Sequence, residues 1–191
     1  GNGVHNVSLF VKDAAGNVSA ANTKQITVTP PKPTVVFKVT QRTVTSSTTV
    51  PISITTTDPS GTGIKGYFLS STDVSGTLTA ATAGWKLVTT TFTIPTGDGL
   101  KTIYVWVKDG NNSVSTAASV QVRLDTTIPV ATLTVTGSPG ASPVVTVSGT
   151  DTSGSGIKAY AITLTNTQPD KDDTLAWYAT ATDASNALSL A

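Results

Sequence analysis

Residues 1–13 read "GNGVHNVSLFVKD" and residues 97–109 read "GDGLKTIYVWVKD": one segment appears twice, 96 positions apart. The register holds from Gly1 and Gly97 through Val18 and Val114, Ile26 and Val122, to Pro33 and Pro129. Beyond the prolines "VVFKV" (35–39) matches "ATLTV" (131–135), and "TDPSGTGIKGY" (57–67) matches "TDTSGSGIKAY" (150–160), the offset falling to 93. Trp85 then pairs with Trp177, and "TFTIP" (91–95) with "ALSLA" (187–191). Self-similarity of this length at nearly one spacing means one supersecondary unit used more than once.

The chain therefore divides into the C-terminal hairpin of one repeat (1–29), a complete repeat (30–125) and the N-terminal strands of a further repeat (126–191). Its beginning inside a repeat is read as that of a free subunit with permuted ends or of a window on a longer array. Either way, the first and last pieces together amount to one more repeat.

Within 30–125, runs rich in Val, Ile, Thr and aromatics alternate with Gly, Asp, Asn and Pro punctuation. The pattern predicts strands near 34–40, 48–56, 64–71, 85–94, 100–108 and 114–124, a spacing that belongs to β-sandwiches. In "KTIYVWVKD" the period of two places Ile103, Val105 and Val107 in the core and Tyr104 and Trp106 on a partly exposed face; Val7, Leu9 and Val11 are the matching core set. "KDGNNS" and "KDAAGN" mark hairpin turns, where Gly and Asn supply positive φ. "TPPKP" (29–33) and "LDTTIP" (124–129) are short Pro-stiffened junctions.

Charged residues make up 12% of the chain, about half the usual share, and the net charge is +1 with basic residues scattered singly. The footprint of a nucleic-acid binder is missing, and no apolar run is long enough to insert in a membrane. With no Cys and no Met, stability must come from packed β layers rather than disulfides or thiolate-bound zinc.

"SGTGIKGY", a Trp some twenty residues on, "GDGLKTIYVWVKDGNNSVS" and the closing "LDTTIP" occur in that order. With them the sequence resembles the bacterial Ig-like tandem repeats of large cell-surface proteins and adhesins, related in shape to fibronectin type III and cadherin modules. The resemblance covers essentially the whole chain. It implies tandem Ig-like β-sandwich domains at an extracellular location or cell surface, one complete and one split between the two ends of the chain. It does not select among stalks, spacers, binding heads and filament units.

Catalytic chemistry has little to work with: the one histidine, His5, occupies the place of Lys101, and the carboxylates sit mostly in turns and linkers. The sequence is read as non-enzymatic. "PDKDD" (169–173) has no glycine at the sixth position and no distal Glu in register, so it reads as a solvated loop rather than a calcium loop. Asp13, Asp58, Asp109, Asp125 and Asp151 are candidate ligands for calcium at domain junctions; alternatively each caps its own turn. Trp85 and Trp177 are read as packing residues, with a sugar platform as the rival reading. Two function classes follow. One is a structural building block of a filament, stalk or array, whose partners are copies of itself or adjacent repeats end to end and whose split domain is completed by strand addition. The other is an adhesin module binding glycan or protein ligands.

Overall fold

The computed structural model of the chain describes residues 3–40, 44–137, 143–172 and 177–187. These are nearly all β, with eleven strands and one short helix. In chain order the strands are β1 (Gly3–Leu9), β2 (Asn22–Val28), β3 (Thr34–Val39), β4 (Val44–Thr45), β5 (Thr49–Thr57), β6 (Ile64–Ser70), β7 (Thr91–Thr93), β8 (Gly99–Asp109), β9 (Ala118–Leu124), β10 (Val130–Thr136) and β11 (Val144–Thr150); the helix is α1 (Ala181–Ala187). They form two hairpins, β1-β2 and β10-β11, a three-stranded sheet β3-β5-β7 and a four-stranded sheet β4-β9-β8-β6. No described helix is long and apolar enough to cross a membrane.

Two compact units are present. One comprises Gly1–Gln41, Pro51–Phe92 and Thr102–Val120; the other comprises Arg42–Val50, Thr93–Lys101 and Gln121–Ala191. In the first, Phe37, Ile52, Ile103, Val105, Trp106 and Val107 are buried; in the second, Val50, Ile94, Val122, Leu124 and Ala184. Alternation along β8 buries Ile103, Val105 and Val107 as the period of two requires.

Trp106 departs from that alternation. Expected on a partly exposed face, it is 1% exposed. Phe68 meets it edge to face at 6.1 Å, Tyr104 stacks on it at 5.9 Å, and its indole N–H donates to Ser75 Oγ at 3.3 Å. The segment after β6 folds back over this side of β8, so both faces of the strand are covered. Tyr104 is half-buried, as expected of it.

The expected strand over 85–94 shrinks to β7. Lys86 bridges Tyr67 on β6, whereas Thr90 accepts from the Ile52 amide of β5 at 2.8 Å. One straight strand cannot serve both partners, so Leu87 and Val88 cross between them and are nearly four-fifths exposed. The helix α1 was not foreshadowed by the repeat, which aligned Ala187 with a strand; residues 188–191 of that alignment lie outside the described residues. Its start is a capping arrangement, in which the Asp183 amide donates to Thr180 Oγ1 at 3.1 Å and the Thr180 hydroxyl to Asp183 Oδ2 at 2.6 Å.

The pairings at the two ends of the chain reproduce those of its middle. β3 pairs β5 with Thr34 opposite Thr57 and Phe37 opposite Ile54; β10 pairs β11 with Val130 opposite Thr150 and Leu133 opposite Val147, the positions the repeat equates. At the other end, Lys12 bridges Val18 as Lys108 bridges Val114. The Ser19 hydroxyl accepts from the Val11 amide at 3.1 Å as the Ser115 hydroxyl accepts from the Val107 amide at 3.0 Å. Positive φ falls at matching tip positions, Gly16 at 97° and Asn112 at 61°.

Candidate carboxylate and docking sites

Two carboxylate pairs are joined by a serine each. In the first, Asp58 Oδ1 accepts from the Ser60 amide at 2.9 Å and its hydroxyl at 2.7 Å, and Oδ2 from the Gly63 amide at 2.6 Å. Asp109, fully buried at the end of β8, accepts from the Asn111 and Ser113 amides at 2.9 and 2.8 Å through Oδ1, and from the Ser60 hydroxyl at 3.0 Å through Oδ2. A hydroxyl carries one proton, so Ser60 shares it between two carboxylates. The Ser60 hydroxyl is the largest cause holding the Asp58 carboxyl below its ordinary range.

The second pair is built on the equivalent loop. Asp151 Oδ1 accepts from the Ser153 amide at 3.1 Å and hydroxyl at 3.0 Å, and Oδ2 from the Ser155 hydroxyl at 2.9 Å and the Gly156 amide at 2.7 Å. The Ser153 hydroxyl also donates to Asp125 Oδ1 in a very short contact. Hydroxyl donors again dominate: Ser153 lowers the Asp125 carboxyl and Ser155 that of Asp151. Asp125 is buried, and its Oδ2 has no hydrogen-bond partner. Linker residue Asp125 thus stands to Ser153 as hairpin residue Asp109 stands to Ser60.

Asp13, the hairpin residue equivalent to Asp109, is exposed and accepts from the amide and side-chain N–H of Asn17, both at 2.8 Å, which lower its carboxyl. The five candidate calcium ligands are thus distributed as two serine-linked pairs and one separate turn. Among the described residues, no group of three or more His, Asp or Glu side chains is placed to hold a metal ion. In "PDKDD", Lys171 pairs with Asp172 in full solvent exposure, and Asp173 lies outside the described residues.

Sequence reasoning passed over Asp98. Its Oδ1 accepts from the Thr126 amide at 2.8 Å and hydroxyl at 2.7 Å, and its Oδ2 from the Thr127 hydroxyl at 2.6 Å. Those hydroxyls, Thr127 first, hold its carboxyl down to about 2. The second "GDG" glycine, Gly99, has a φ of 115°, and the donors come from the "LDTTIP" linker, which no local pattern connects to it.

The indole N–H of Trp85 donates to Thr79 O at 3.1 Å and that of Trp177 to Asp170 O at 2.8 Å, and the neighbouring bridges Tyr67 to Lys86 and Tyr160 to Tyr178 also correspond. Both indoles are half-buried and anchored to backbone.

The terminal hairpins expose what the middle buries. Val105 is 0% exposed and its equivalent Leu9 63%; Trp106 1% and Phe10 56%; Phe37 8% and Leu133 60%. Val7, Val11 and Ile26, whose equivalents Ile103, Val107 and Val122 are fully buried, are about half or more exposed as well. No protein-family model matches the chain, and no curated protein matches its sequence.

Proposed function

We propose that the chain is a structural building block of an extracellular filament, stalk or surface array made of serial Ig-like β-sandwich domains. In this reading residues 126–191 of one subunit and residues 1–29 of the next complete a domain between them by strand complementation. The observation that carries it is the contrast in burial between positions equated by the repeat. Burying a Val, Leu, Ile or Phe side chain is worth about 1.5–3 kcal/mol, and the two terminal hairpins leave many such residues in water. A two-stranded hairpin is marginal by itself, and a contiguous apolar face of this kind marks an interaction surface.

A contact in which one end of a subunit takes the other end of its neighbour is heterologous and does not close on itself unless a rotation happens to form a ring. Growth is therefore open-ended, as a filament or stalk requires. A surface low in charge and rich in Thr and Ser, with its turns tied by Asp, serves such a role without catalysis or a cofactor.

Sedimentation of this 191-residue, 19.4 kDa chain over a wide concentration range tests the reading. Species at successive multiples of that mass, growing with concentration, are expected. A monomer at every concentration would overturn it.

A further inference from the structure

We propose that a specific socket formed by residues 151–163 and 177–179 receives the end of β1 and the turn after it, residues 8–13, from a second copy of this chain, in a register fixed by β6 and β8. This rests on the complementation reading above and goes beyond it by naming the seat, the plug and the pairing of each residue.

The register comes from the chain's own middle. There β6 lies antiparallel to β8, with Ile64 opposite Asp109, Gly66 opposite Lys108, Tyr67 opposite Val107, Phe68 opposite Trp106, Leu69 opposite Val105 and Ser70 opposite Tyr104. The repeat carries β6 to 157–163 and the end of β8 to 8–13. The expected pairs are therefore Ile157 with Asp13, Ala159 with Lys12, Tyr160 with Val11, Ala161 with Phe10, Ile162 with Leu9, and Thr163 with Ser8.

Among the described residues, 157–163 lack the long strand partner that β6 has in β8. Apart from the single bridge of Tyr160 to Tyr178 they form no strand, although their equivalents form β6. Tyr160 and Ile157 are already seated against β11, where Gly149 leaves them room: a Cβ there would stand 3.3 Å from Ile157 Cδ1 and 3.4 Å from Tyr160 Cε1. One side of the segment is thus packed, and among the described residues its other edge joins no strand, the arrangement that strand addition uses.

Beside that edge opens a cavity of about 610 Å³ lined by Asp151, Ser155, Ile157, Lys158 and Trp177 among others. Their equivalents Asp58, Thr62, Ile64, Lys65 and Trp85 surround the end of β8. There Lys108 Nζ sits 4.9 Å from the Trp85 ring centroid, the Ser60 hydroxyl donates to Asp109, and the Gly110 amide donates to Thr62 Oγ1 at 3.1 Å. Transferred, these contacts place the Lys12 ammonium over Trp177 and the Asp13 carboxylate on the Ser153 hydroxyl. In the free chain Asp125 holds that hydroxyl, so docking exchanges a linker carboxylate for the incoming one.

The correspondence ends at Asp13. The next residue is Ala14 where the middle has Gly110, and a Cβ at Gly110 would stand 2.9 Å from Thr62 O. The loop beyond Asp13 must therefore shift outward, and the pairing is assigned only to residues 8–13. Ala159 stands where the middle has Gly66, at which a Cβ would lie 3.2 Å from both Lys108 Cε and Trp85 Cε3, so the flexible end of the incoming Lys12 must give way by a few tenths of an ångström.

The chain has no cysteine, so introduced pairs report the register directly. Opposed residues of antiparallel strands lie about 4.5–5.5 Å apart, within disulfide range, while a shift of one residue turns the side chain to the other face. Two double variants of the full chain, S8C/T163C and S8C/I162C, are oxidised and separated under denaturing, non-reducing conditions. A ladder of covalent multimers from S8C/T163C and not from S8C/I162C is expected. If the chain sediments as multimers yet S8C/T163C gives no ladder, or S8C/I162C gives the stronger one, the register is overturned while complementation stands. If both variants stay monomeric, crosslinked within the chain or not at all, and the unmodified chain also sediments as a monomer, both proposals fall together.

Discussion

Asp98 shows how much a single carboxylate can organise when its donors are hydroxyls. Two threonines of the following linker close on it, and the charged form is favoured down to about pH 2. Because the folded value lies below the ordinary value of about 3.9, its contribution is present above pH 4 and is lost as pH falls from about 4 through about 2. Asp13, Asp58, Asp125 and Asp151 are shifted in the same direction, so their contributions are lost on the same side. The melting temperature should therefore decline over that window, and Asp98→Asn should make the decline shallower while lowering the melting temperature at neutral pH. An unchanged acid limb in Asp98→Asn would contradict the assignment. The five aspartates picked out in the sequence were visible as turn residues. How they pair was not, because Ser60 and Asp109 are far apart in the chain, and Asp125 reaches Ser153 rather than a residue of its own turn.

At the level of strands, β8 was legible in outline and misread in one residue. Alternation identifies Ile103, Val105 and Val107 as inward because a strand's two faces differ in solvation. It cannot report that Phe68 and the segment carrying Ser75 also cover the second face, since that depends on where another element runs. The helix α1 was hidden for a related reason. The repeat extended a strand pattern into it, while the local signal, Thr180 three residues before Asp183, lies outside any repeated motif. The contrast between Trp106 and Phe10 gives a direct check on packing. Trp106→Ala should cost about 3–5 kcal/mol of stability in denaturant unfolding. Phe10→Ala should cost less than about 0.5 kcal/mol in the dilute chain, as an exposed substitution does. The same Phe10→Ala change should weaken self-association measured by sedimentation. A large loss of stability in the dilute Phe10→Ala chain would mean that this side chain is packed without a partner.

For the molecule as a whole, the proposed complementation ties stability to concentration: if the apolar faces of β1-β2 and β10-β11 are covered by a second copy, each subunit is stabilised by mass action. The melting temperature should therefore rise with protein concentration, and the β1-β2 hairpin should protect its amides from hydrogen exchange only in the assembled fraction. A melting temperature independent of concentration over a hundredfold range would show that the hairpins gain nothing from one another.

The small strand β4 has a mechanical consequence. Val44 and Thr45 lie parallel to β9, opposite Arg123 and Leu124, and the Asp125 amide extends the contact by donating to Thr45 O at 2.9 Å. The chain comes into β4 at its start and leaves β9 at its end. Tension along the polypeptide therefore pulls these parallel strands in opposite directions, sliding one past the other. The bonds between them bear such a load together, in shear, instead of peeling open one after another.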